Sequence, residues 1–138
     1  MPSSDLVKSM HIAASGMKAQ SDRLRIVSEN IANAESIGTR PGEAPYRRKV
    51  LTFKNVLDRK LEVEKVQVGK YGYANTPFSQ KYDPSHPAAN QEGYVLYPNV
   101  NPMVEMMDMR EARRGYEANV NVIEVSKGMI MQTINMIR

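Results

Sequence analysis

The sequence has no cysteine, only two histidines (His11 and His86), two phenylalanines and no apolar run longer than a few residues. Without cysteine there is no disulfide scaffold, thiol nucleophile or thiolate zinc ribbon, and two histidines cannot make a histidine-rich metal centre. A cysteine-free chain needs no oxidant to fold, so it suits cytoplasm, periplasm or the exterior equally. No stretch reaches the roughly 20 apolar residues that span a bilayer, and mean hydropathy is −0.50. The chain is therefore not expected to be integral to a membrane. Its start, MPSSDLVKSMHIAASGMKAQ, has neither an early basic cluster nor an apolar core before a small-residue site, so no cleaved secretory signal is expected. Phosphate-cradling, dinucleotide, zincin and serine-elbow motifs are all missing. Neither an enzyme, a bound cofactor, a metal nor a small-molecule substrate is expected.

What is present is 138 residues, 41% hydrophobic and 25% charged, the size of one domain or one elongated subunit. The net charge of +4 and pI near 9.4 permit an acidic partner without demanding one. Seven of the eight prolines (Pro41, Pro45, Pro77, Pro84, Pro87, Pro98 and Pro102) fall between 41 and 102, whereas all ten methionines lie outside that stretch, toward the two ends, Pro102 marking the start of the last region. Proline breaks helices, so the chain divides into a helical region at 1–36, a β-rich and loop region at 37–98, and a second helical region at 99–138. The fold class is mainly α with a small β region.

In the first region Leu6, Met10, Ala13, Met17, Gln20, Leu24, Val27, Ile31 and Ala34 alternate steps of four and three, with Gln20 alone polar. This is a heptad seam. Ser3 or Ser4 with Asp5 offers a cap, and Gly38 before Pro41 a stop, which predicts a helix from about 5 to about 34, weakened at Gly16. Counting back from the other end, Ile137, Ile134, Ile130, Lys127, Ile123, Val120, Tyr116, Arg113, Met109 and Met106 form a second seam. Asn101 before Pro102 predicts its start near 102. In the middle, Tyr46 to Phe53, Leu61 to Val68, Tyr71 to Phe78 and Gly93 to Tyr97 read as short strands of a small antiparallel sheet, with turns at Gly69 and Gly72. Residues 79–92 read as an extended loop.

Helices of about thirty residues are roughly 45 Å long, more than so small a sheet covers. The seams can pair as a coiled coil, yet Ile12 and Ile26 on one helix and Val122, Val125, Met129 and Met136 on the other fall outside them. Faces this wide want several neighbours, which favours assembly with like subunits over a monomeric hairpin. Two other classes stay open: a small helical adaptor acting as a discrete dimer, and a nucleic-acid module built on Tyr46, Arg47, Arg48, Lys49, Phe53, Lys54, Arg59 and Lys60. Only two aromatics join that patch and Asp58, Glu62 and Glu64 follow it, so a charged strand face is the better reading. Glu105, Asp108, Glu111, Glu117 and Glu124 read as a solvated or ion-paired helix face, and His11 as structural or exposed. Tyr71, Tyr73, Tyr82, Tyr94 and Tyr97 read as the sheet's own packing.

Ser15-Gly16-Met17, Ala19-Gln20, Arg23-Leu24 and Ser28-Glu29-Asn30-Ile31-Ala32-Asn33 resemble the N-terminal signature of bacterial flagellar axial proteins (rod, hook and hook-associated proteins). Asn99-Val100-Asn101, Glu105-Met106, Ala112, Arg114, Tyr116-Glu117-Ala118-Asn119 and Lys127-Gly128-Met129 resemble the C-terminal one. The middle, from Pro45-Tyr46-Arg47-Arg48-Lys49-Val50 to Glu92-Gly93-Tyr94-Val95, is most similar to the proximal-rod branch. Ser36 stands where many axial proteins have threonine, an insertion runs from Ile37 to Ala44, and Arg110 stands where an apolar residue is common.

The resemblance implies that paired terminal helices form the inner layer of a hollow helical tube and the middle an outer layer. It implies a structural subunit of the rod, which transmits torque across the periplasm and passes later subunits through its lumen. Its partners would be copies of itself, other rod proteins and the flagellar type III export apparatus, which needs no cleaved signal. Interface positions would be Leu6, Met10, Ala13, Met17, Leu24, Val27, Ile31, Met106, Met109, Tyr116, Val120, Ile123, Ile130, Ile134 and Ile137. The signature residues would be Ser28, Asn30, Ile31, Ala32, Asn33, Tyr116, Glu117, Ala118 and Asn119, with the asparagine amides of Asn30 and Asn33 satisfying backbone groups where the first helix ends.

Overall fold

Proline is tolerated in the first turn of a helix, where its missing N–H has no intrahelical partner anyway, and helix α1 spans Pro2–Ala32. The structure, a computed structural model, describes residues 2–138, so position 1 of the expected first region lies outside the described residues. The helix begins ahead of the serine cap read from the sequence and ends two residues before the expected 34. At that end Asn33 Nδ2 donates to Glu29 O (2.9 Å) and Ser36 Oγ donates to Asn33 Oδ1 (3.0 Å). These bonds divert the chain out of the helix. Helix α2 spans Pro102–Ile137. Its cap is Asn101, whose Oδ1 accepts from Met103 N (3.1 Å) and whose carbonyl accepts from Glu105 N (3.1 Å).

Between the helices are two separate two-stranded sheets instead of one small sheet. Strands β1 (Lys49–Asp58) and β2 (Val63–Tyr73) form the first. Asp58 Oδ1 shapes the turn by accepting from Lys60 N (3.0 Å) and Leu61 N (3.3 Å), and Glu62 completes it at φ 54°. β2 runs straight through Gly69 and Gly72, where the sequence reading places turns. A Cβ at Gly69 would lie 3.1 Å from Thr52 Oγ1, so that glycine serves close approach between strands.

Strands β3 (Ser79–Tyr82) and β4 (Tyr94–Tyr97) pair antiparallel from Ser79↔Tyr97 to Tyr82↔Tyr94. This corrects the start of the expected loop at 79–92, of which 83–92 remain loop, and the strand expected over Tyr71–Phe78 ends at Tyr73. β3 is Ser-Gln-Lys-Tyr with every residue exposed, so it has no hydrophobic alternation to read, and the apolar residue of the pair, buried Val95, sits on β4. Gly93 leads into β4 at φ +87°, with space for a Cβ closed by Tyr82 and Pro84.

The chain folds as two compact units. The first comprises the chain up to Leu24, Thr52–Lys70 and Arg110–Arg138; the second comprises Arg25–Leu51 and Tyr71–Met109. In the first unit the fully buried side chains are small: Ala13, Ala19, Ala112 and Ser126. The helices run antiparallel there, with Gly16 against Asn119, Gln20 against Gly115 and Arg23 Nη2 3.4 Å from Glu111 Oε2. In the second unit Ile26, Val27 and Val95 are buried together with two polar side chains, Asn30 and Glu105.

Candidate functional site

Two features of the sequence converge in the second unit, the Asn30 turn of α1 and the basic run at Arg47–Lys49. Asn30 is 1% exposed and every polar atom of its amide is engaged. Its Oδ1 accepts from Tyr46 Oη (2.7 Å) and Lys49 N (2.9 Å), and its Nδ2 donates to Lys49 O (2.9 Å) and Glu105 Oε2 (3.3 Å). Thus one helical side chain fixes the first residue of β1 through both of its backbone groups. Glu105, 0% exposed, also pairs with Arg48 Nε, while Arg48 Nη2 lies 3.6 Å from Asp108 Oδ2. A buried carboxylate is tolerable only when paired and hydrogen-bonded in this way.

Asn99 extends the network. Its Oδ1 accepts from Arg48 N (2.7 Å), and its Nδ2 donates to Thr76 O (3.0 Å) and Thr76 Oγ1 (2.9 Å). Lys49 Nζ lies 2.9 Å from Glu29 Oε2; this hydrogen bond holds the Glu29 carboxyl below its usual range and the Lys49 ammonium above its own. Burial pushes the Tyr46 phenol up. Among the described residues no group of three or more acidic, histidine or cysteine side chains is placed to hold a metal.

Of the basic patch considered for nucleic acid, Arg47, Arg48 and Lys49 are committed within the fold, while Lys54, Arg59 and Lys60 are exposed. Arg47 donates to Ala74 O (2.9 Å) and stacks 4.3 Å above the Phe78 ring, Arg48 is held by Glu105, and Lys49 by Glu29. Tyr71, Tyr73, Tyr82 and Tyr94 are all exposed, so they are not the interior packing of a sheet; Tyr82 and Tyr94 meet edge to face at 5.3 Å, and Tyr71 lies beneath Arg25. His11 is exposed.

The expected interface positions fall into three classes. Ala13 and Val27 are buried; Leu6, Met10, Met17, Leu24, Ile31, Met109, Tyr116, Val120, Ile123 and Ile130 are half-buried; Met106, Ile134 and Ile137 are exposed. On α2 the fully buried positions are Glu105, Ala112 and Ser126, each one residue before Met106, Arg113 and Lys127 of the seam read from the sequence. Outside that seam, Val122, Val125, Met129 and Met136 are 44%, 57%, 48% and 86% exposed. Their spacing of three, four and seven puts them on one uncovered face. Of the signature residues, Asn30 is buried, Ile31, Asn33, Tyr116 and Asn119 half-buried, and Ser28, Ala32, Glu117 and Ala118 exposed.

Sequence reasoning missed Glu105 and its arginine. Glu105 was grouped with a solvated or ion-paired helix face; it is paired but wholly buried, while Glu111, Glu117 and Glu124 are exposed. The available signal was its place in the first turn after the Asn101 cap, where a carboxylate is favoured by the helix N-terminus.

The regions carrying this geometry match known sequences. A family profile described as flagella basal body rod protein matches residues 10–38, and one described as flagellar basal body rod FlgEFG protein C-terminal matches residues 91–136. The chain is 51% identical over 127 residues to the flagellar basal-body rod protein FlgC of Agrobacterium fabrum, covering 92% of this chain and 91% of that one. It is 36% identical over 141 residues to FlgC of Bacillus subtilis (91% and 94% covered) and 35% over 131 residues to FlgC of Escherichia coli O157:H7 (95% and 97%).

Proposed function

Since the chain belongs to the FlgC family of flagellar basal-body rod proteins, and is thus a structural subunit of the rod and not an enzyme, we propose how it builds that rod. α1 and α2 pair as a coiled coil in the inner layer of a hollow helical tube, and residues 37–98 form the outer layer. The tube is the proximal part of the rod within the periplasm. It transmits torque, and its lumen passes later subunits. The chain itself reaches it through the flagellar type III apparatus without a cleaved signal. Its neighbours are copies of itself and other rod proteins.

The observation that carries this reading is the uncovered stripe of Val122, Val125, Met129 and Met136 on α2. Full burial of one such side chain is worth about 1.5–3 kcal/mol, so a neighbour covering the stripe gains on the order of 5 kcal/mol per subunit. Many such contacts in parallel suit a shaft under load, and methionine adapts to neighbours that differ slightly. The interface positions proposed are those named from the sequence, Leu6 to Ile31 on α1 and Met106 to Ile137 on α2, extended by this stripe.

Electron cryomicroscopy of basal bodies purified from cells producing the tagged chain tests it. The expected result is the chain in the rod with both terminal helices lining the lumen. A chain absent from the rod, or one whose helices face outward, would overturn the arrangement.

A further inference from the structure

Gly16 and Gln20 lie four residues apart on α1, and Gly115 and Asn119 four apart on α2, so each pair faces one way from its helix. In the first unit these two pairs meet in antiparallel order. A Cβ added to Gly16 would stand 2.7 Å from Asn119 Nδ2 and 3.2 Å from Asn119 Cγ. One added to Gly115 would stand 3.0 Å from Gln20 Nε2 and 3.2 Å from Gln20 Cδ. Each amide fills the notch left by the other helix's missing side chain. The arrangement is reciprocal, glycine against amide and, one turn on, amide against glycine.

We propose that Gly16, Gln20, Gly115 and Asn119 form a register lock that holds α1 and α2 in a single antiparallel alignment. An apolar heptad seam alone leaves register loose, because a slide of one turn sets apolar residues against apolar residues again. A polar side chain in the seam specifies alignment at a cost in stability. That cost is visible here, since Gln20 Oε1 is buried with no hydrogen-bond partner among the described residues. A one-turn slide would carry Asn119 from Gly16 to the level of Ala13 or Gln20, where a side chain already occupies the notch. The two glycines are likewise unexplained by helix propensity, which ranks glycine below every residue but proline. Close interhelical packing accounts for them. The lock does not depend on the rod arrangement proposed above, although a slide would also displace Val122, Val125 and Met129 relative to α1.

A crossed rescue experiment on the full chain tests the lock. Valine is a better helix former than glycine, so Gly16→Val and Gly115→Val improve the isolated helices while filling the notches. Each is expected to lower the urea midpoint of the purified chain. Asn119→Ala removes about the volume that Gly16→Val adds, and is expected to restore Gly16→Val but not Gly115→Val. Gln20→Ala is expected to restore Gly115→Val but not Gly16→Val. In cells carrying each variant as the sole copy, swarm diameter should follow the same crossed pattern. Valine variants as stable as the parent, rescue by neither truncation, or rescue by both alike would overturn the proposal.

Discussion

Asn30 and Glu105, 75 residues apart in the chain, meet in a 3.3 Å hydrogen bond with both side chains buried, and so tie the end of α1 to the first turn of α2. The same two residues hold the first residue of β1 and the Arg48 guanidinium. The second unit is therefore organised around polar partners, and its response to mutation should differ from that of an apolar core. Removing one partner of a buried ion pair strands the other and costs about 3–5 kcal/mol, whereas replacing both with apolar residues of similar size is often neutral. Glu105→Leu and Arg48→Met should each destabilise strongly, and the double variant should be more stable than Glu105→Leu alone. Urea unfolding of the four chains checks this; additive losses would mean the pair is not coupled.

Asn30→Leu should be as damaging as either single change, because it leaves the Lys49 N–H and carbonyl and the Tyr46 hydroxyl without their partner. Each buried group so stranded costs about 1–3 kcal/mol. Asn30→Asp should be no milder, since it brings a second carboxylate against Glu105 and removes the donor to the Lys49 carbonyl. Hydrogen exchange at the Lys49 amide is the local measurement, with faster exchange expected in both variants.

The α1 seam shows as a heptad repeat because its positions, apart from polar Gln20, are apolar, and from Leu6 to Ala34 none is exposed. The α2 seam was harder to read. Where helices come close, the contact is carried by small side chains, and Ala112 and Ser126 give little hydrophobic signal beside their neighbours Arg113 and Lys127. Glu105 was hidden for the opposite reason, since its burial depends on Arg48 and Asn30, distant in sequence. β3 was invisible because its partner β4 supplies the buried residue, and Gly69 misled because glycine marks close approach as well as turns. The family signatures, in contrast, were readable as local runs, and they fall on the residues whose geometry now has a cause: Gly16, Gln20, Asn30 and Asn119.

Two glycines with positive φ separate strain from crowding. Gly93 (φ +87°) has Tyr82 Cε2 2.9 Å and Pro84 Cγ 3.1 Å from a built Cβ, whereas Gly42 (φ +84°) has nothing within 4 Å. The left-handed backbone alone costs a side chain roughly 1–2 kcal/mol. Gly42→Ala should lose about that much, and Gly93→Ala should lose more because the β3–β4 junction must also move. Equal shifts in urea midpoint would show that Tyr82 and Pro84 yield freely.

The Glu29–Lys49 pair gives a pH dependence with a defined sign. The Lys49 hydrogen bond holds the Glu29 carboxyl below its ordinary 4.5, so the stabilisation is complete above that pH and is lost as pH falls through the depressed value. The Glu29 hydrogen bond raises Lys49 above its ordinary 10.5, so on the alkaline side the stabilisation persists to that pH and is lost as pH rises through the raised value. Glu29→Gln should thus be less stable than the parent at neutral pH, and the difference should close as pH falls below the ordinary carboxylate range and Glu29 takes up its proton. Both groups are solvent-accessible, so added salt should shrink the neutral-pH difference as well. A difference that is unchanged between neutral and acid pH would mean that shape rather than charge matters at position 29.

The contrast between a covered and an uncovered position on α2 separates folding from assembly. Ile123 and Val120 are half-buried in the first unit, so Ile123→Asp or Val120→Asp should weaken the fold by several kcal/mol as well as abolish assembly. Val125 is 57% exposed, and an aspartate there keeps its water in the free subunit. Its effect on urea stability should stay within about 0.5 kcal/mol. In a rod, however, the uncovered stripe meets a neighbour, and the same aspartate becomes an unpaired buried charge at every copy of the interface. Val125→Asp should therefore leave stability intact while eliminating swarming and rod incorporation, and Met129→Asp should behave alike. Basal bodies built normally from Val125→Asp subunits would mean that this face of α2 looks into solvent in the assembled rod, and the neighbour proposed for it would have to be withdrawn.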